Sequence, residues 1–375
     1  MCVFSQSITP RRSRKNPYQI GARRYAWHDD LQLYGTTSVL ELERDYKLVD
    51  IDEILRRKEN RRTWTFPAFA EDVFQRRLAY AGYAPANMNL ASVLSRTSSP
   101  AEVARRYARN SPQRAIVDEE DWPQRFVTFL RRLATKDPLS AKLGEAWFRQ
   151  GHSETPRRPF QWEKRVYWKK ERVQQTLMQI AARCGQRMMW AGKEDVLALS
   201  GGNVLVFVSL CQHIWSAWAR SVRGLGGPEG KLTLPRVDAS VQAVGIQSAS
   251  VHWLNKITEQ LGKSRERHRF ANRLGRLFRE GLLSDKSMSY PGHNGFSLRE
   301  EELALDAWLL RFLNDAVDYG DLFDAPHTTK TKDRKQRRKW YLNPILSPYF
   351  QIPETHVKEP MYVTVSKVRV WLVLL

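Results

Sequence analysis

The densest chemistry in this sequence is cationic. Residues 330–339 read Lys330-Thr331-Lys332-Asp333-Arg334-Lys335-Gln336-Arg337-Arg338-Lys339, seven positive charges in ten positions, and Trp340-Tyr341 follow directly. Lysine offers a phosphate a point charge, while arginine offers a planar fork that bonds in two places. The same run also suits a solvated loop tip. A second set, Arg265, Arg269, Arg273 and Arg276, recurs on one face of a helical pattern. A solvated face and a DNA-facing one compete there.

Other chemistries fail on spacing. Gly224-Leu225-Gly226-Gly227-Pro228-Glu229-Gly230-Lys231 resembles a phosphate-binding loop, but Leu225 stands where the first Gly belongs and Leu232 offers no hydroxyl to magnesium. Pro228 also removes one backbone N–H from the cradle, so the stretch reads as a linker. Val49-Asp50 and Val117-Asp118-Glu119 mimic the acidic end of a magnesium-binding strand no better than chance does. Glu229-Gly230-Lys231 ends like a nuclease signature, yet no Asp lies between Asp195 and Asp238 to supply the first ligand. The eight His show no H-x-x-x-H pair, and His213 reads as a satisfied core residue. Cys2, Cys184 and Cys211 form no C-x-x-C motif and no disulfide framework, which fits a reducing interior. No metal site and no catalytic residue is assigned.

The elements that must position the cations follow from periodicity. Residues 1–24, with Arg11-Arg12-Ser13-Arg14-Lys15 between Pro10 and Pro17, read as a loose, disordered basic tail. Residues 25–160 are mixed α/β or helical: a strand near 48–52, helices over 74–81 and 101–108, and one from Trp122 to Leu133. Ser99-Pro100-Ala101-Glu102 is a helix start. Pro156-Arg157-Arg158-Pro159 reads as a linker. Residues 161–223 form a helical region: one long helix from Gln161 to Cys184, then an almost wholly apolar one from Asn203 to Arg220, expected to be buried all round. The Gly- and Pro-rich stretch 224–235 marks a boundary. From 237 to 375 the pattern predicts a helix over 250–261 ended by Gly262, then one buried on Phe270, Leu274, Leu277, Phe278 and Leu282. Ser297-Leu298-Arg299-Glu300 predicts a capping box opening a helix that runs to Val317. Leu322-Phe323 and Lys339-Trp340-Tyr341-Leu342 predict a β-hairpin with a charged tip.

The 61 Lys and Arg against 40 Asp and Glu leave a net charge of +21, which calls for an anionic partner, nucleic acid before membrane. With 13 Trp, 13 Tyr and 15 Phe the chain is not a disordered one. The longest apolar stretch, 196–219, is interrupted by Gly201-Gly202-Asn203, Gln212 and His213, so no membrane span is expected. The basic N-terminus has no apolar core behind it and is no secretory signal, which leaves a cytoplasmic expectation.

Leu199-Ser200-Gly201-Gly202-Asn203-Val204-Leu205-Val206-Phe207 resembles the "sensor 2" helix start of origin-recognition-like AAA ATPases, in a branch found in bacteria. The run from Arg338 to Phe350 and Lys358-Glu359-Pro360-Met361-Tyr362 resemble the winged-helix end of that branch. The similarity is strongest over 190–362. It implies a mainly α protein: a helical, lid-like middle followed by a winged-helix DNA-binding module with a basic β-hairpin. Leu205 replaces the Arg that in the family touches the ATP γ-phosphate, and the P-loop is missing. The resemblance therefore implies the C-terminal portion of such an ATPase, or a form without its own nucleotide site, inactive alone. ATP and magnesium would enter only with a P-loop partner chain or an upstream segment. DNA is the implied partner, with an AAA ATPase partner or self-association beside it and phage defence as a setting. The alternatives are an ATPase active only with that partner chain, or an interaction module whose charge is incidental.

Overall fold

The computed structural model describes the chain except residues 1, 7–17, 24, 26–37, 56–63, 84–87, 96–97, 118–120, 153–158, 223–233, 235, 290–292, 326–335, 355–359 and 374–375. The fold is mainly helical, with two small sheets among the described residues. β1 (Cys2–Gln6), β2 (Tyr18–Ala22) and β3 (Tyr46–Asp50) form an antiparallel sheet in the order β2-β1-β3. The N-terminal segment, expected to be a loose tail, thus supplies two strands. Their pairing partners are backbone groups up to 48 residues away, Cys2 facing Asp50 in register, and no local pattern reports such a ladder. Arg11-Arg12-Ser13-Arg14-Lys15 lies outside the described residues.

A helical body follows: α1 (Ile51–Leu55), α2 (Phe66–Tyr80), α3 (Leu90–Val93), α4 (Pro100–Ala108), α5 (Gln124–Lys136), α6 (Pro138–Arg149), α7 (Gln161–Lys164) and α8 (Val166–Arg183). Ser99 caps α4 as its sequence predicts: Glu102 N–H bonds to the Ser99 hydroxyl, and the Glu102 carboxylate accepts from Ser99 N–H at 2.6 Å. The single helix expected over 161–184 is broken at Arg165. α7 is pinned by Phe160 stacked on the fully buried Trp162, ring centroids 4.7 Å apart, and by Glu163 bonding to Ser140. α8 then sets off along α6 and α4.

α9 (Lys193–Ser200), α10 (Val204–Val222) and α11 (Ala239–Lys256) come next. Of the stretch 224–235 only Leu234 is described, and the helices on its two sides pack together. Their approach is close enough that a Cβ on Gly245 would lie 2.5 Å from Ile214 Cα. α10 is not buried all round. Val206, Phe207, Leu210, Ile214 and Ala217 are buried, Trp218 is half-buried, Leu205 is 66% exposed, and Trp215, ten residues further along the helix, is exposed as well. Its apolar composition exceeds what its one packed face needs.

The C-terminal part runs α12 (Ser264–Ser284), β4 (Gly295–Arg299), α13 (Glu300–Ala304), α14 (Ala307–Asp318), β5 (Leu322–Ala325), β6 (Arg337–Leu342), α15 (Ser347–Phe350), β7 (Met361–Tyr362) and α16 (Val365–Val373). The sheet order is β5-β6-β4-β7, with β4 and β5 antiparallel to β6 and β7 parallel to β4. The expected capping box at Ser297 is overturned: Ser297 sits in β4 opposite Lys339, and its buried hydroxyl has no hydrogen-bond partner among the described residues. Ladder pairing outcompetes the local cap, and the helix starts two residues later, at Glu300. That helix also stops early. Asp306 accepts from Leu309 N–H at 3.0 Å and opens α14, leaving Leu305 in the break, 91% exposed. Helices and C-terminal sheet share one buried apolar cluster.

Candidate nucleic-acid interface

α12 is phased as its spacing predicts. Phe270, Leu274, Phe278 and Leu282 are buried and Leu277 is partly so, while Arg265, Arg269 and Arg276 are exposed. Arg273 lies at the edge of that face, its buried Nε without a hydrogen-bond partner among the described residues. Arg267, on the opposite side, is buried. It pairs with Asp321 and donates to Gly262 O at 2.8 Å and Leu261 O at 3.0 Å, with Tyr319 stacked 4.1 Å from its guanidinium. Burial pushes the Asp321 carboxyl up to about 6 against the pull of Arg267.

The expected hairpin strands, β5 and β6, pair with Phe323 opposite Tyr341 and Asp324 opposite Trp340. Lys330, Lys332, Arg334 and Lys335 lie outside the described residues. The three cations on β6 itself are built into the fold. Arg337 is 6% exposed, stacked 4.6 Å over Tyr362 and bonded to Ser297 O. Arg338 pairs with Asp324 at 3.2 Å, bonds to Asn314 at 3.0 Å and meets the Tyr25 hydroxyl. Lys339 is half-buried between its ladder partners Ser297 and Ala325. Trp340 and Tyr341 are buried, and Trp340 stacks on Phe296 at 5.6 Å. Tyr25 straps the N-terminal segment here: its N–H donates to Asp318 at 2.8 Å and its hydroxyl to Asp324.

Sequence reasoning passed over the surface made by α13, the Leu305-Asp306 turn and α14. Ala307, Trp308 and Arg311 are exposed there. Lys263 Nζ lies 4.4 Å and the Arg369 guanidinium 4.3 Å from the Trp308 ring centroid, and Phe312 stacks on the ring at 5.5 Å. Arg369 reaches this place from α16 by bonding to Asp306, whose carboxyl it holds below its ordinary range. The available signal was an Asp, a favoured cap, in the middle of an otherwise continuous helical stripe.

The sensor-like segment forms a two-glycine turn. Gly201 and Gly202 have φ of +57° and +82°, a conformation that favours glycine, and a Cβ on Gly201 would strike the Phe323 ring at 2.5 Å. Asn203 caps α10 by accepting from Leu205 N–H at 2.9 Å. Val117 N–H is held by the buried Glu145, and Asp118 and Glu119 lie outside the described residues. His213 is half-buried and bonded to Ser248 at 3.2 Å, with its basicity lowered by burial and by His252. Among the described residues no cluster of three or more His, Cys, Asp or Glu is placed to hold a metal ion, and no helix is long and apolar enough to cross a membrane.

A family model described as ORC-CDC6-like matches residues 8–362, so the likeness that the sequence shows most strongly over 190–362 extends through the N-terminal half. No curated protein and no solved structure matches the chain.

Proposed function

The chain belongs to the ORC-CDC6-like family, and from that premise we propose that it binds duplex DNA through a winged helix-turn-helix formed by residues 264–342. The observation that carries this reading is the element order. A helix (α12), a strand (β4), two helices joined by a two-residue turn (α13 and α14) and a strand pair (β5 and β6) follow one another, with β6 between β4 and β5 in the sheet. In a helix-turn-helix the second helix enters the major groove with its N-terminal residues on base edges. That places Trp308 and Arg311 at the groove. Lys330, Lys332, Arg334 and Lys335, on the segment joining β5 to β6, meet flanking phosphates. Arg265, Arg269, Arg273 and Arg276 on α12 are a secondary phosphate set, and Arg337, Arg338 and Lys339 support the strand beneath the tip.

No segment of the sequence has phosphate-loop spacing, and Leu205 offers a γ-phosphate no charge. In this reading the isolated chain neither binds nor hydrolyses ATP, and any nucleotide chemistry, with its magnesium, comes from a P-loop partner. The setting is the cytoplasm of a bacterium, with phage defence as one role. The exposed apolar residues of α10, Leu205 near its start and Trp215 further along, favour a second component: an AAA ATPase partner or a second copy covers them.

The test is anisotropy with a 30-base-pair duplex across a salt series. Each phosphate neutralised adds about 0.9 to the slope of log affinity against log salt. Replacing Lys330, Lys332, Arg334 and Lys335 by Ala is expected to flatten the slope by about three to four units and Arg311→Ala to weaken binding. Unchanged affinity and slope in both folded variants would move the site to Arg265, Arg269 and Arg276. Silence there as well would sink the DNA reading and leave the interaction module.

A further inference from the structure

We propose that Trp308 reads the 5-methyl group of thymine in the major groove, held in place by Lys263 and Arg369. The inference rests on the helix-turn-helix reading above and names its base-contacting residue. Trp308 is the second residue of α14 and is 41% exposed. Its ring is nevertheless fixed. Phe312 stacks on it with planes 5° apart, and Lys263 and Arg369 lie within 4.4 Å of its centroid. Arg369 is itself anchored, because it bonds to Asp306, the residue that caps α14. A C-terminal helix thus sets both the first turn of α14 and the orientation of its exposed indole. Fixing a side chain before binding removes the ordering cost that a mobile one would incur on contact.

The surroundings select the ligand class. The exposed edge is apolar, with Ala307 and Leu305 beside it, and its rim is cationic, with Lys263 and Arg311 exposed and Asp306 engaged by Arg369. An apolar protein surface would leave those cations desolvated without partners, whereas a polyanion satisfies them. Of the four bases, thymine alone offers a methyl group to an apolar side chain in the major groove. Lys263 then meets the phosphate flanking that base.

Duplexes that differ only in the methyl group provide the test. Alternating poly(dA-dT) is compared with poly(dA-dU) and poly(dG-dC) by competition anisotropy on the full chain. Burial of one methyl-sized group corresponds to about a fourfold affinity difference. The wild type is expected to prefer the thymine duplex over the uracil one by about that factor, and Trp308→Ala to bring the ratio to one with an unchanged salt slope. Should Trp308→Ala not fold, Trp308→Gln, which keeps more side-chain bulk, carries the same comparison. Equal affinity for thymine and uracil duplexes in the wild type overturns the assignment, as does a folded variant that keeps the preference. In either case duplex binding itself survives, so the winged-helix reading would stand. No binding to any of the three duplexes removes that reading and this one together, and equal competition by polyglutamate would point instead to an acidic protein.

Discussion

The N-terminal helical body and the C-terminal module each bury an ion network, built the opposite way round. In the first, one carboxylate serves everything: Glu145, fully buried, accepts from Lys142 at 2.9 Å, Arg149 at 3.2 Å and Val117 N–H at 2.9 Å. In the second, one guanidinium serves everything: Arg267 donates to Asp321, Gln260, Gly262 O and Leu261 O. Removing the shared carboxylate takes its ion-pair partner from the buried Lys142, while Arg149 keeps its bond to Val117 O at 2.7 Å. Removing Asp321 leaves Arg267 with three other acceptors. A network's vulnerability therefore depends on how many partners the lost group was serving, more than on how deeply it lies.

The largest effect is expected at Glu145. Breaking a buried pair by removing one partner costs about 3–5 kcal/mol, and Glu145→Gln should fall in that range in urea denaturation at neutral pH. Burial already lowers the Lys142 pKa, against the pull of Glu145. Because folded Lys142 holds its proton less tightly than the unfolded chain does, its contribution to stability rises as pH climbs through the folded pKa toward the unfolded one. Without Glu145 the folded pKa drops further, so Glu145→Gln should recover stability as pH rises toward the ordinary lysine value of 10.5. A loss independent of pH would mean that Lys142 is not a buried cation.

Asp321→Asn should cost less, about 1–3 kcal/mol, the scale for a buried hydrogen bond to a charged group. The pH response has the opposite sign. The Asp321 carboxyl is raised to about 6, so the folded state holds its proton more tightly than the unfolded one. This contribution is fully present below the unfolded pKa and is lost as pH rises from about 4 to about 6, in total about 3 kcal/mol. Because the wild type loses this contribution and the non-titrating Asp321→Asn does not, the wild type's advantage in denaturation midpoint should shrink as pH rises from about 4 to about 6. Parallel curves would show Asp321 titrating as an ordinary surface acid.

Local signals were legible and distant ones were not. The Ser99 cap and the phase of α12 could be read because their bonds and spacings span a few residues. The strand nature of β1 and β2 could not, since it depends on pairing with β3. At Ser297 a correct local signal lost to a nonlocal ladder. For the candidate interface, charge density alone pointed to 330–339. It could not reveal that Arg338 is engaged by Asp324 and by a tyrosine 313 residues away, or that Arg337 is packed under Tyr362. A count of cations does not distinguish those that hold a strand from those left for a partner.

α10 lies between the two networks in sequence and belongs to neither, and the smallest effect is expected there. Leu205 and Phe207 are two residues apart and equally apolar, but Phe207 is 1% exposed and packs edge-on to Phe66 at 6.3 Å, while Leu205 stands two-thirds in solvent at the helix start. Its backbone N–H, not its side chain, does the structural work, through the bond to Asn203. Leu205→Arg keeps that N–H and replaces a poorly buried side chain with one that can extend into water. Surface substitutions of this kind stay within about 0.5 kcal/mol, and the denaturation midpoint should hardly move. The same variant restores the charge that the wider family carries at this position. If the chain has no nucleotide site of its own, as proposed above, that charge has no bound γ-phosphate to touch, and calorimetry should detect no ATP binding by the isolated Leu205→Arg chain. Binding in this variant but not in the wild type would locate a nucleotide pocket beside the Gly201-Gly202 turn. A loss above about 2 kcal/mol would instead mean that the apolar face of α10 is covered in solution, which concentration-dependent sedimentation would then reveal as self-association.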